Sequence, residues 1–165
     1  WDQDAGHSRL RDAVAAEGAT PRDVQAALAA TYREMPWQFA RSYADVFRLL
    51  ADGELPLVFH CAGGKDRTGL VTAFLLHIAG VGTDEIAKDY ALSEERLRTR
   101  HEQWIAKAES EEERERLERV SQTPADSMRG VFEELERRYG SVEGYLRHGG
   151  LTDDELARAR ARLRD

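Results

Sequence analysis

Cysteine occurs once, at Cys61, and asparagine does not occur at all in this chain of 165 residues. A lone cysteine excludes an intramolecular disulfide and points to a reducing, cytoplasmic setting. Without asparagine there is no acceptor for N-glycosylation. Proline is scarce, at four residues, and no Pro- or Ser-rich linker or internal repeat divides the sequence. A single domain over 1–165 is therefore expected, long enough to bury a core. Positive charge is in deficit: 24 basic residues face 31 acidic ones, for a net charge of −7. That balance argues against a nucleic-acid ligand, whose phosphate backbone needs a basic face. Long apolar runs are missing too. The longest, 70–81, is broken by His77 and Gly80 and is too short to span a bilayer. The polar, acidic start WDQDAGHSRL does not read as a secretory signal. With 41% hydrophobic and 33% charged residues, the composition is that of a globular protein.

Helix starts recur in one grammar. Thr20 and Thr123 each precede Pro and then an acid within the first turn, Thr152 with Glu155 forms a capping box, and Thr83 precedes Asp84 and Glu85. Phe39, Tyr43, Val46, Phe47 and Leu50 repeat at three- and four-residue steps, which predicts an amphipathic helix over 36–51 ended by Asp52-Gly53. Residues 94–119 are charged nearly all round and read as a long solvated helix or helix pair. Further helices are expected over 124–139, 142–148 and 153–164. His77 and the aromatic stripe 39–47 read as core.

The centre of the chain reads differently. Residues 55–60 (LPLVFH) form a short apolar run, expected as a buried strand. A glycine-rich loop follows, then residues 69–79, apolar all round like a helix packed inside a domain. Strand, loop and helix would aim the helix N-terminus at the loop. In the loop, His60-Cys61-Ala62-Gly63-Gly64-Lys65-Asp66-Arg67-Thr68-Gly69, each part has a physical task. The glycines let successive amides curl inward as a nest for an oxyanion. The helix adds unpaired N–H groups and its positive dipole end. Arg67 offers a planar fork for two phosphate oxygens. Positive potential there would lower the Cys61 thiol to about 4–6, making it a nucleophile at neutral pH.

At these residues the sequence resembles the cysteine-dependent protein tyrosine phosphatases, whose signature is His, Cys, five residues, Arg, then Ser or Thr. The Lys-Asp pair inside the loop resembles the bacterial branch typified by mycobacterial protein tyrosine phosphatase B. The likeness extends to Tyr32-Arg33-Glu34-Met35-Pro36, Phe47-Arg48-Leu49-Leu50, Asp89-Tyr90-Ala91-Leu92-Ser93, Gly144-Tyr145-Leu146 and Leu151-Thr152-Asp153-Asp154-Glu155-Leu156. It implies an α/β phosphatase fold around a central strand-loop-helix phosphate cradle, and metal- and cofactor-independent hydrolysis of phosphate monoesters.

The roles it implies are specific. Cys61 would be the nucleophile that becomes phosphocysteine, and Arg67 the phosphate clamp. The backbone of Ala62, Gly63, Gly64, Lys65, Asp66 and Arg67 would form the oxyanion cradle. Thr68 would support the thiolate, and His60 would order the loop. Lys65 resembles a loop lysine shared with phosphoinositide phosphatases, and Asp66 stands where this branch places its general acid. The partners implied are phosphorylated proteins or phospholipids. The branch carries more sequence and several strands ahead of its nucleophile, so the chain is expected to be mostly helical and to lack N-terminal strands. No Trp-Pro-Asp acid loop is visible before residue 36, and Asp2 and Asp4 are weak substitutes for one. Residues 94–122 are either a solvated helical face or a lid over the loop. Rhodanese-like and arsenate-reductase chemistry fit less well, since the loop ends in Arg-Thr-Gly and no second cysteine exists to resolve an intermediate. A phosphate-binding module without turnover is the alternative from another class.

Overall fold

Two helix starts close as capping boxes. The Asp23 amide donates to the Thr20 hydroxyl at 3.3 Å while the Asp23 carboxylate accepts from the Thr20 amide at 2.9 Å, and Thr152 and Glu155 repeat the exchange at 3.2 and 2.8 Å. The computed structural model of the chain describes residues 20–164. Among these residues it holds nine helices: α1 Pro21–Gln38, α2 Ala40–Asp52, α3 Asp66–Ala79, α4 Thr83–Arg96, α5 Arg98–Ile105, α6 Glu111–Ser121, α7 Ala125–Tyr139, α8 Val142–His148 and α9 Asp153–Arg162. Asp2 and Asp4 lie outside the described residues.

Several boundaries depart from expectation. Pro36 falls near the end of α1 rather than at the head of a new helix, and the chain breaks at Phe39 before α2. The amphipathic stripe survives the shift, with Tyr43, Phe47 and Leu50 buried. Thr123 does not cap α7. It is buried, its amide donates to the Glu94 carboxylate at 3.0 Å and its hydroxyl donates to the Ala91 carbonyl at 3.2 Å, so it ties the start of α7 to α4. The charged stretch 94–119 breaks after Arg96 and again at 106–110, which makes α5 and α6 a pair. Helix α3 begins at Asp66, three residues earlier than its apolar pattern, and this places Asp66, Arg67 and Thr68 in its first turn.

The expected strand over 55–60 does not form, and the described residues contain no sheet. The reason is physical: a strand exists only through a ladder with a neighbour. No main-chain group of 55–60 bonds to another main-chain group among the described residues. Leu55 and Val58 stand 54% and 82% exposed, while Leu57 and Phe59 lean on the core. The expected α/β architecture is thus mostly helical in what is described.

Helix α3 runs through the middle of the core. Phe74, fully buried, meets Tyr43 of α2 and Tyr145 of α8 at 5.5 Å between ring centres, and Phe132 of α7 at 6.5 Å. These offset and edge-on pairs lock four helices around one ring. Helix α9 braces the outside of α2 through Arg158 to Asp52 and Arg48 to Glu155, and Arg162 donates to the Leu50 and Gly53 carbonyls where α2 ends. No helix among the described residues is long and apolar enough to cross a membrane.

Candidate active site

The segment 60–68 turns from the unpaired run into the first turn of α3. Gly64 adopts a left-handed conformation, φ 70°, which a side chain would strain. Gly69 serves another end. A Cβ there would stand 2.8 Å from the ring of Tyr90, so its bareness lets α3 approach α4. The Cys61 amide donates to the Thr68 hydroxyl at 3.0 Å, which closes the loop on itself.

Cys61 and Arg67 line the same cleft, of about 380 Å³, with Thr68 beside them and Val46, Phe59 and Val71 as apolar walls. Burial pushes the Cys61 thiol up, but hydrogen bonds from the Thr68 hydroxyl and from the Thr68, Gly64 and Lys65 amides outweigh it and bring the thiol down to about 7. That is higher than the 4–6 expected from loop chemistry alone, because the half-buried sulfur also bears a desolvation cost. Below the cleft, Tyr43 is fully buried within electrostatic reach of Arg67 and Cys61. Burial drives its phenol far above the ordinary range, and Arg67 opposes that rise. Tyr43 belongs to the aromatic stripe, and nothing in the spacing marks it as different from Phe39 or Phe47.

Of the other loop residues, His60 and Ala62 also line the Cys61 cleft, while Lys65 and Asp66 do not. The His60 ring stands 3.4 Å from the Cys61 carbonyl and is exposed. Lys65 is buried, and its ammonium donates to the Val120 carbonyl of α6 at 2.6 Å. Burial lowers it to about 8, against the pull of Glu94 and the Cys61 thiolate. The lysine therefore fastens the loop to α6 and does not line the Cys61 cleft. Asp66 lies 3.5 Å from the Lys65 ammonium. Burial pushes its carboxyl up to about 7, with Arg67 opposing. Ala62, Gly63, Lys65 and Asp66 line a second cleft of about 540 Å³, whose far wall comes from α5 and Lys107. The two clefts meet at Ala62. Among the described residues no group of three or more His, Cys, Asp or Glu side chains converges as metal ligands would. His77 sits far down α3 against the Phe132 ring, 3.9 Å from Glu143.

The comparisons with known proteins agree on one family. A model of the tyrosine phosphatase family matches residues 5–165. The chain is 32% identical over 125 residues to a tyrosine-protein phosphatase of Nostoc commune, covering 70% of this chain and 42% of that protein. It is 33% identical over 146 residues to the triple specificity protein phosphatase PtpB of Mycobacterium tuberculosis (strain ATCC 25618 / H37Rv), covering 80% and 52%. The chain thus spans about half the length of these relatives. With a match running over nearly all of its residues, the chain belongs to the tyrosine phosphatase family.

Proposed function

We propose that this protein hydrolyses phosphate monoesters, chiefly phosphotyrosine, through a cysteinyl-phosphate intermediate at Cys61. The observation that carries the reading is the shared cleft: a thiol brought down to about 7 and a guanidinium line one hollow with apolar walls. Apolar walls suit an aryl ring, and the guanidinium suits the phosphate it carries.

The Cys61 thiolate attacks phosphorus, an S–P bond forms, and the P–O bond to the leaving group breaks. Arg67 holds two non-bridging oxygens, and the amides from Ala62 to Arg67 stabilise the charge that develops on them. Asp66, held partly protonated near neutrality by burial, reaches from the adjoining cleft, which meets this one at Ala62, to give its proton to the leaving oxygen. Its carboxylate then takes a proton from the water that attacks the phosphocysteine. The S–P bond breaks and inorganic phosphate leaves. Thr68, which already supports the sulfur, eases that departure. The reading needs a reduced thiol, which suits a cytoplasmic setting. In it the chain is one phosphatase domain, with α5 and α6 as a lid whose position Lys65 holds. The triple specificity in the name of the mycobacterial relative supports substrates beyond phosphotyrosine, and we extend the reading to phosphoserine, phosphothreonine and phosphoinositides.

Para-nitrophenyl phosphate turnover tests the core of this. The wild type is expected to release nitrophenol, and Cys61→Ser to lose at least ~10³-fold in rate while still binding phosphate. A folded wild-type sample that binds phosphate without turnover would make the protein a phosphate-binding module instead.

A further inference from the structure

We infer that Lys65 is a positioning residue for the proton donor: its buried ammonium, fixed to the end of α6, sets the direction in which Asp66 presents its carboxyl. The inference deepens the reading of the Cys61 cleft and rests on it. The resemblance gives Lys65 to the substrate as extra positive charge, and the structure spends that charge inside the protein instead. Lys65 is the residue before α3 and Asp66 the first residue within it. Asp66 lines the cleft that adjoins the Cys61 cleft at Ala62, so its proton reaches the leaving oxygen only from a held orientation.

The surroundings of the ammonium carry the argument. A lysine stem is flexible and ordinarily carries its charge out to water. Lys65 does not: the residue is 6% exposed. Its ammonium donates to the Val120 carbonyl at 2.6 Å, in the last turn of α6, where carbonyls lack helical partners and the dipole is negative. Among the described residues the buried polar and charged side chains are Lys65, Ser121 and Thr123, and the last two lie at that same helix end. The Ser121 hydroxyl donates to the Leu117 carbonyl at 2.7 Å. The Thr123 amide donates to the Glu94 carboxylate at 3.0 Å, and Glu94 favours the charged form of Lys65. The ammonium is thus tied into a polar junction of the loop, α4 and α6. The Asp66 carboxylate lies 3.5 Å from it, an ion-pair distance longer than a short hydrogen bond. At that distance a fixed cation sets the orientation of the carboxyl without engaging it in a short hydrogen bond. Lys65 acts through Asp66 and touches no reacting atom.

The test compares an alkyl phosphate, whose leaving oxygen needs a proton, with para-nitrophenyl phosphate, whose oxygen does not. The proteins are the wild type, Asp66→Asn, Lys65→Met and Lys65→Gln, and the two lysine variants each combined with Asp66→Asn. Lys65→Met is expected to lower kcat on the alkyl ester by roughly 10- to 100-fold and on the nitrophenyl ester by less than about threefold, with KM for both near the wild-type value. On the Asp66→Asn background the same change should add less than about twofold on the alkyl ester, because the two residues act as a unit. Lys65→Gln keeps an N–H for the Val120 carbonyl and removes the charge. It should repeat the pattern, and it decides the matter if Lys65→Met does not fold. Lys65→Arg restores a cation and should recover part of the loss. No loss on the alkyl ester, an equal loss on both esters, or a loss that adds in full to that of Asp66→Asn overturns the inference. A rise in KM confined to a soluble inositol polyphosphate gives Lys65 to the substrate and overturns it as well. Should the wild type turn over neither ester, the hydrolytic reading fails, and the inference is decided by the titration of the Asp66 carboxyl followed by NMR. Removing the cation in Lys65→Gln should move that midpoint upward, since the other groups facing the carboxyl, Arg67 on α3 and Arg100, His101 and Lys107 across the cleft, are unchanged. A midpoint equal in both proteins overturns the inference.

Discussion

At the scale of single residues, the site holds two groups poised on the same pH from opposite sides. Hydrogen bonds bring the Cys61 thiol down to about 7 despite burial, and burial brings the Asp66 carboxyl up to about 7. In the proposed reaction the attacking form of the first is the thiolate, which gains as pH rises. The donating form of the second is the protonated acid, which gains as pH falls. Their product is a narrow bell centred near neutrality in kcat/KM against pH. Its rising limb follows Cys61, which hydrogen bonds hold down, and its falling limb follows Asp66, which burial raises and Arg67 opposes. Asp66→Asn should remove the falling limb. It should cost on the order of 10²- to 10⁴-fold on an alkyl phosphate, whose leaving oxygen needs a proton, and far less on a nitrophenyl phosphate, whose oxygen does not. An equal loss on both substrates would show that Asp66 holds the loop together and donates no proton.

The scale of elements shows what sequence reasoning reached and where it stopped. The loop 60–69 was legible because its chemistry is contiguous: thiol, glycines and guanidinium lie within ten residues, and short-range geometry joins them. Helices α8 and α9 were legible for the same reason, since Ser141 and Thr152 cap them locally. The run 55–60 was misread because apolar character reports burial, whereas a strand also needs a partner that no local pattern supplies. Thr123 was misread in the converse way. Its cap grammar is local, but its amide and hydroxyl are claimed by Glu94 and Ala91, some thirty residues away. Thr123→Val keeps the shape and removes the hydroxyl, so it should cost about 0.5–1.5 kcal/mol in denaturant unfolding. A true cap would show its loss as fraying confined to the first turn of α7, visible in amide exchange. Gly69→Ala tests the α3–α4 contact. The added methyl meets the Tyr90 ring at 2.8 Å, and the buried ring has little room to yield, so ~1–3 kcal/mol of stability should be lost. Tyr90→Leu combined with Gly69→Ala should recover part of that loss, which a purely local effect of the loop would not permit.

At the scale of the whole molecule, the site and the core are one piece of helix. Arg67 and Thr68 occupy the first turn of α3, and Phe74 lies seven residues from Arg67, about 10 Å along the same axis. The ring of Phe74 touches Tyr43, which in turn lies beneath Cys61 and Arg67. It also touches Tyr145 and Phe132, which belong to the two helices that close the far side. A helix anchored this way cannot lose its core contacts and keep its first turn in register with the loop. Phe74→Ala should therefore cost ~3–5 kcal/mol, a large share of the ~5–15 kcal/mol that holds a typical domain. The loss should also reach the thiol. Helicity by circular dichroism and the rate at which a thiol reagent labels Cys61 are expected to change at one and the same urea concentration, in the wild type and, at lower urea, in the variant. If Cys61 instead becomes reactive well before the helices melt, the loop opens as a unit of its own, and the coupling argued from Phe74 through Tyr43 does not hold the site in place.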